Sequence, residues 1–134
     1  MSESTLVLFA HGSRDPVWRS HFEKLTSDLQ RDLGPELVEL AYMEFASPTL
    51  EEIVSKAYDR GVGRFHLLPL FLAGGAHVAN DIPEQVDAVK ALFLDATVNV
   101  LPPIGEHRRF RILLKVLAQE AALDAQTAQP AAGT

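Results

Sequence analysis

Four short apolar runs separated by longer amphipathic segments constrain this chain more than any other feature. The runs, residues 5–10, 37–42, 64–70 and 97–101, have strand length and are bounded by turn-forming residues. Each connection between them is long enough for a helix, and such alternation builds a parallel sheet covered by helices on both faces. Trp18, Phe22, Leu25 and Leu29 share one helical face, as do Leu50, Ile53, Val54 and Ala57, and then Ile82, Val86, Val89 and Phe93. A last helix carries Phe110, Leu113, Leu117 and Ala121. The expected class is α/β: one three-layer α/β/α domain over residues 1–123, around a four-stranded, mainly parallel sheet. Hydrophobic residues make up 47% of the 134, enough for one real core.

Punctuation supports these boundaries. Asp15 before Pro16 and Ser47 before Pro48 each combine a capping oxygen with a proline suited to a helix start, and Asp81 is expected to cap the third helix. Gly34-Pro35 and Gly61 close the first two helices. Residues 124–134, rich in Ala and Gln, lack periodicity and are expected to be a disordered tail. No internal repeat is visible.

Right-handed crossovers lead to a flavodoxin-like strand order, 2-1-3-4. The first and third strands are then neighbours, and ligand sites of open parallel sheets lie at the carboxyl ends where the winding reverses. Two histidines belong to loops that emerge there. The first strand runs into His11-Gly12-Ser13-Arg14, and the third leads through Phe71, Leu72, Gly74 and Gly75 to His77. The second strand ends at Met43-Glu44-Phe45, so Glu44 enters the same crevice. Strands lie about 4.8 Å apart, close enough for three such groups to converge on one ion. Two imidazoles and a carboxylate suit a divalent first-row metal with open positions, and with no cysteine in the chain any metal falls to such ligands. The bland alternatives stay open: a strand-end histidine also bonds loop carbonyls, and Glu44 also suits a helix N-terminus. Arg14 serves an anionic substrate or a salt bridge to Asp15 or Glu44, and Gly74-Gly75 a flat ligand or a tight turn. His21 and His66 read as structural, and His107 is less useful than its neighbours Arg108 and Arg109, which can hold an anion.

The net charge of −6 argues against nucleic acid or an anionic membrane as partner. The acidic start Met-Ser-Glu-Ser-Thr shows neither a signal peptide nor a span, and a cytoplasmic protein is expected.

Taken in order, His11-Gly12-Ser13-Arg14-Asp15-Pro16, Glu44 with Pro48 four residues on, Pro69-Leu70-Phe71-Leu72 through Gly74-Gly75 to His77, Asp81-Ile82-Pro83, and Pro103-Ile104-Gly105 resemble the small single-domain sirohydrochlorin chelatases of the CbiX type. The resemblance spans about residues 5–118. It implies insertion of cobalt, iron or nickel into sirohydrochlorin with loss of two pyrrole protons, in cobalamin or sirohaem-type synthesis. The metal is then a substrate, and no prosthetic group is implied. By resemblance His11, His77 and Glu44 bind the metal and accept protons. Ser13, Met43, Phe45, Phe71, Leu72, Gly74 and Gly75 meet the macrocycle, while Arg14 and Arg108, with Arg109, hold its carboxylates. A homodimer is also implied, paired subunits standing in for the two halves of longer chelatases. The competing reading is a non-catalytic carrier of metal or tetrapyrrole. A phosphoryl-transfer enzyme using His11 fits less well, since histidine phosphatases carry arginine where this chain has Ala10.

Overall fold

β1 (Ser4–Ala10) lies inside the sheet because both sets of its alternating side chains are apolar. Val7, Leu8, Phe9 and Ala10 are all buried, as expected of a strand covered on both faces. The computed structural model describes residues 3–72 and 76–127, with 76–79 described by backbone alone. Beside β1 run β2 (Val38–Tyr42), β3 (Arg64–Pro69) and β4 (Thr97–Val100), in the order β2-β1-β3-β4. Every neighbouring pair is parallel. The expected order 2-1-3-4 is therefore the observed one, with the reversal between β1 and β3.

Helices α1 (Pro16–Leu33), α2 (Leu50–Asp59) and α3 (Ala76–Leu92) form the covering layers. Leu50, Ile53 and Val54 of α2 and Ile82, Val86 and Val89 of α3 pack on Val7, Phe9, Phe65 and Leu67. On the other face Trp18, Phe22 and Leu29 of α1 pack on Leu8, Ala10, Val38, Leu40 and Tyr42. A 3₁₀ turn at Ile104–Glu106 leads into α4 (Arg108–Thr127).

Local chemistry corrects several expectations. Ser47 does not cap α2: Thr49 does, through a reciprocal capping box with Glu52. Asp81 lies inside α3, which starts at Ala76 and continues through Pro83, because a proline removes one internal hydrogen bond without ending the turn before it. Leu25 is exposed, and the buried member of that turn is Thr26, whose hydroxyl donates to the Phe22 carbonyl. Asp15 caps α1 as expected, and Gly34 closes it at φ +121°. The fourth helix runs to Thr127, past residue 123; residues 128–134 lie outside the described residues. It forms, yet its apolar residues are largely uncovered: Leu113 and Leu117 are exposed. Periodicity shows that a helix has an apolar face, not that the same chain supplies a surface for it.

Leu67 is fully buried and Leu25 is not. Leu67→Ala is expected to cost about 2–5 kcal/mol and Leu25→Ala within about 0.5 kcal/mol, read from urea midpoints at constant slope. Tyr42 gives a second test. Its hydroxyl is buried without a hydrogen-bond partner, and burial, reinforced by Glu23 and opposed by Arg19, pushes its phenol above the ordinary 10.0. Because the folded value is the raised one, this group's contribution is complete below the unfolded value and is lost as pH rises through the folded one. Tyr42→Phe is expected to be neutral or to stabilise by up to about 1 kcal/mol at pH 7, and to weaken the alkaline decline in stability.

Candidate functional site

The β1–β2 ladder does not stop where β2 ends. Met43 N–H donates to the Ala10 carbonyl at 2.8 Å, and Glu44 N–H donates to the His11 carbonyl at 3.0 Å. The loops carrying His11 and Glu44 are thus joined by backbone hydrogen bonds rather than left to side-chain chance. Gly12 makes this approach possible. It sits at φ +104°, and a Cβ there would lie 1.7 Å from the Glu44 carbonyl oxygen.

From this junction the chain turns into α1. Ser13 Oγ accepts from Asp15 N–H at 3.0 Å, Asp15 Oδ1 accepts from Val17 N–H at 2.9 Å, and the Arg19 guanidinium donates to the Ser13 carbonyl at 2.7 Å. Ser13 therefore shapes the loop. Arg14 is exposed and its guanidinium lies over the Phe45 ring, 4.8 Å from the centroid. Phe45 holds φ 65°, unusual for an aromatic residue, with its side chain 54% exposed.

The floor under His11 comes from the end of β3. The Phe71 ring packs 4.1 Å from the His11 ring, between centroids. Phe71 is only 1% exposed and Met43 6%, so neither offers a face to a ligand; this corrects the expectation that both form a platform. The apolar groups at the surface are Phe45 and Leu72, the latter 68% exposed. His11 itself is exposed and Glu44 half-buried. His77 begins the first turn of α3, but its side chain, Gly74 and Gly75 lie outside the described residues. Among the described residues no three His, Asp or Glu side chains form a metal-holding group.

Three supporting residues escaped sequence reasoning. Gln85 Nε2 donates to the Met43 carbonyl at 2.9 Å, tying α3 to the Glu44 loop. Arg19 braces Ser13. Gly105 N–H donates to the Phe71 carbonyl at 3.0 Å, and a Cβ on Gly105 would sit 1.5 Å from the Leu72 carbonyl oxygen. The glycine of Pro103-Ile104-Gly105 was visible in sequence; its partner across the fold was not. His107 is a cap, its Nδ1 accepting from Arg109 N–H at 3.0 Å. Arg108 opens α4, exposed, just beyond the 3₁₀ turn.

The arrangement presents an accessible imidazole held near a carboxylate-bearing loop, flanked by an exposed aromatic ring, an exposed leucine and a guanidinium. Such a set can ligate a cation or accept a proton beside a flat, anionic, partly apolar molecule. Gly12→Ala is expected to destabilise the fold by at least about 1 kcal/mol in urea melts, since it adds both positive-φ strain and a clash with Glu44.

The CbiX family model matches residues 5–121 of this chain. A sirohydrochlorin cobaltochelatase of Methanopyrus kandleri is 40% identical over 81 residues, which are 60% of this chain and 57% of that protein. The chain thus spans little more than half the length of that relative. A sirohydrochlorin cobaltochelatase of Sulfolobus acidocaldarius is 31% identical over 116 residues, 87% of this chain and 90% of its own length. Among solved structures, a cobalamin biosynthesis CbiX protein from Marinobacter aquaeolei VT8 superposes with a TM-score of 0.80 at 34% identity, covering 90% of this chain and 98% of that one.

Proposed function

Because the chain belongs to the CbiX family, we propose that it is a chelatase that inserts cobalt into sirohydrochlorin, a step toward cobalamin. The observation that carries this reading is the backbone lock between His11 and Glu44 at the reversal point of the sheet. The names of relatives support cobalt as the ion.

Insertion exchanges two pyrrole N–H protons for one divalent cation and moves no electrons, so neither nucleotide nor redox group is needed. A neutral imidazole suits this exchange, since it can hold a partly dehydrated ion or take up a proton near neutral pH. We assign that work to His11, with His77 at the start of α3 as the second imidazole and Glu44 assisting either task. Phe45 and Leu72 form the apolar rim against the macrocycle, and Arg14 and Arg108 meet its peripheral carboxylates. Ser13 contributes by shaping the loop. The reaction is assigned to the cytoplasm, and the working unit to a homodimer; among the described residues no helix is long and apolar enough to cross a membrane.

The test is anaerobic absorbance spectroscopy of sirohydrochlorin with catalytic protein and cobalt, iron or nickel offered separately against metal-only controls. Multiple turnovers fastest with cobalt are expected. A spectral change that stops at one equivalent of protein, with no acceleration, would mark a carrier and overturn the enzyme reading. His11→Ala is expected to slow insertion at least about 100-fold while leaving the urea midpoint near that of the parent, because His11 is exposed on a loop. Near-parental turnover would remove His11 from the site.

A further inference from the structure

Two surfaces of this chain lack partners, and each has the character the other needs. The first is α4. Phe110, Leu113, Leu114, Leu117 and Ala121 recur at i, i+3, i+4, i+7 and i+11, one helical face. Yet Leu113, Leu114 and Leu117 are 53, 56 and 52% exposed, and the main packing contact of α4 among the described residues is with the 3₁₀ turn before it. Arg108, Arg111 and Lys115 lie on the opposite side of the helix. This is the polarity of a helix built to cover a sheet.

The second surface is part of the sheet. The face bearing α1 is well covered over β2, but β3 and β4 extend it further. In the observed register Arg64, His66 and Leu68 of β3 and Thr97 and Asn99 of β4 point to that side, because they alternate with Phe65, Leu67 and Val98, which pack on the other core. Leu68, Leu70 and Leu101 are only half-buried there, and Arg64, Thr97 and Asn99 are exposed. Parallel sheets are ordinarily covered on both faces. Here the fourth helix, the element expected to complete the layer, does not do so for its own sheet.

We propose that α4 of one copy lies across the β3–β4 half of the sheet of a second copy, and that the second returns its α4 in the same way. The occupant is a second copy because one polypeptide carries both complementary surfaces, and a two-fold axis satisfies both at once. Size is adequate: a 20-residue helix is about 30 Å long and about 10 Å across. Two such footprints, counted on both partners, bury on the order of 1,200 Å², the lower bound for a specific stable interface. The exchange also reaches the site. The 3₁₀ turn that launches α4 holds the Phe71 carbonyl, and the Phe71 ring supports His11. This inference specifies the homodimer named above and is independent of the reaction assigned to the site.

The chain contains no cysteine, so introduced thiols report without background. Leu117→Cys and Leu68→Cys proteins, carrying different tags, are mixed and mildly oxidised. The expected product is a disulfide between the two chains, 117 to 68. Light scattering on the unmodified protein at micromolar concentration should give about 29 kDa, twice 14.7 kDa. Leu113→Arg with Leu117→Arg should halve that mass while circular dichroism keeps its helix signal. A unit mass of 14.7 kDa for the unmodified protein would overturn the proposal. So would a preference for 117 to 117 over 117 to 68, which means helix against helix, or an intrachain bond in a dilute Leu68→Cys, Leu117→Cys protein, which means that α4 folds back on its own sheet. If the arginine variant fails to fold, mass and cross-linking of the folded proteins still decide. None of these readouts uses sirohydrochlorin, so failure of the interface and failure of the chelatase reading are separately visible.

Discussion

Two backbone hydrogen bonds, Met43 to Ala10 and Glu44 to His11, extend the central ladder beyond the strands and hold the functional loops together. Much of the candidate site depends on that extension. It sets His11 above Phe71, brings Glu44 alongside, and requires a glycine at position 12, because any side chain would collide with the Glu44 carbonyl. Backbone groups at a sheet terminus normally bond to water, and pairing them gives loop residues the positional definition of strand residues. Gln85 and Gly105 reinforce the same junction from α3 and from the 3₁₀ turn. The site is therefore an outgrowth of the ladder rather than a set of free loops.

The strands and their order were legible because they follow from apolar runs and the chirality of crossovers, both local or universal. Two site residues were misread for a reason that the pleat explains. Phe65, Leu67 and Pro69 face the core under α2 and α3, and Phe71 continues that parity, as Met43 continues Ala41. Treating the end of a strand as already a loop discards this alternation and turns buried residues into apparent platform residues. Leu72, of opposite parity to Phe71, is exposed as expected. Phe45 shares the parity of Met43 but escapes burial because its positive φ turns the chain.

The rest was illegible because it depends on contacts distant in sequence. Nothing near Gly105 says that Leu72 will lie against it, and nothing near Gln85 names the Met43 carbonyl as its acceptor. The α2 boundary failed differently. Ser47-Pro48 and Thr49 both resemble caps, and the choice fell to Thr49 because Glu52 stands at the position that reciprocates its hydrogen bond. In α4 the apolar period was read correctly, yet period alone is silent about whether a surface exists to receive it.

Burial divides the crevice into two populations with different freedom to vary. Gly12, Phe71, Met43 and Gly105 sit beneath or within the junction, where change disturbs packing or backbone approach. Arg14, Phe45, Leu72 and Arg108 stand above it, partly or largely in solvent, where replacement costs little folding energy. Selection can therefore retune which macrocycle is admitted by editing the upper residues alone, without first accumulating spare stability. A scaffold so partitioned is evolvable in its ligand preference while remaining conservative in its chemistry.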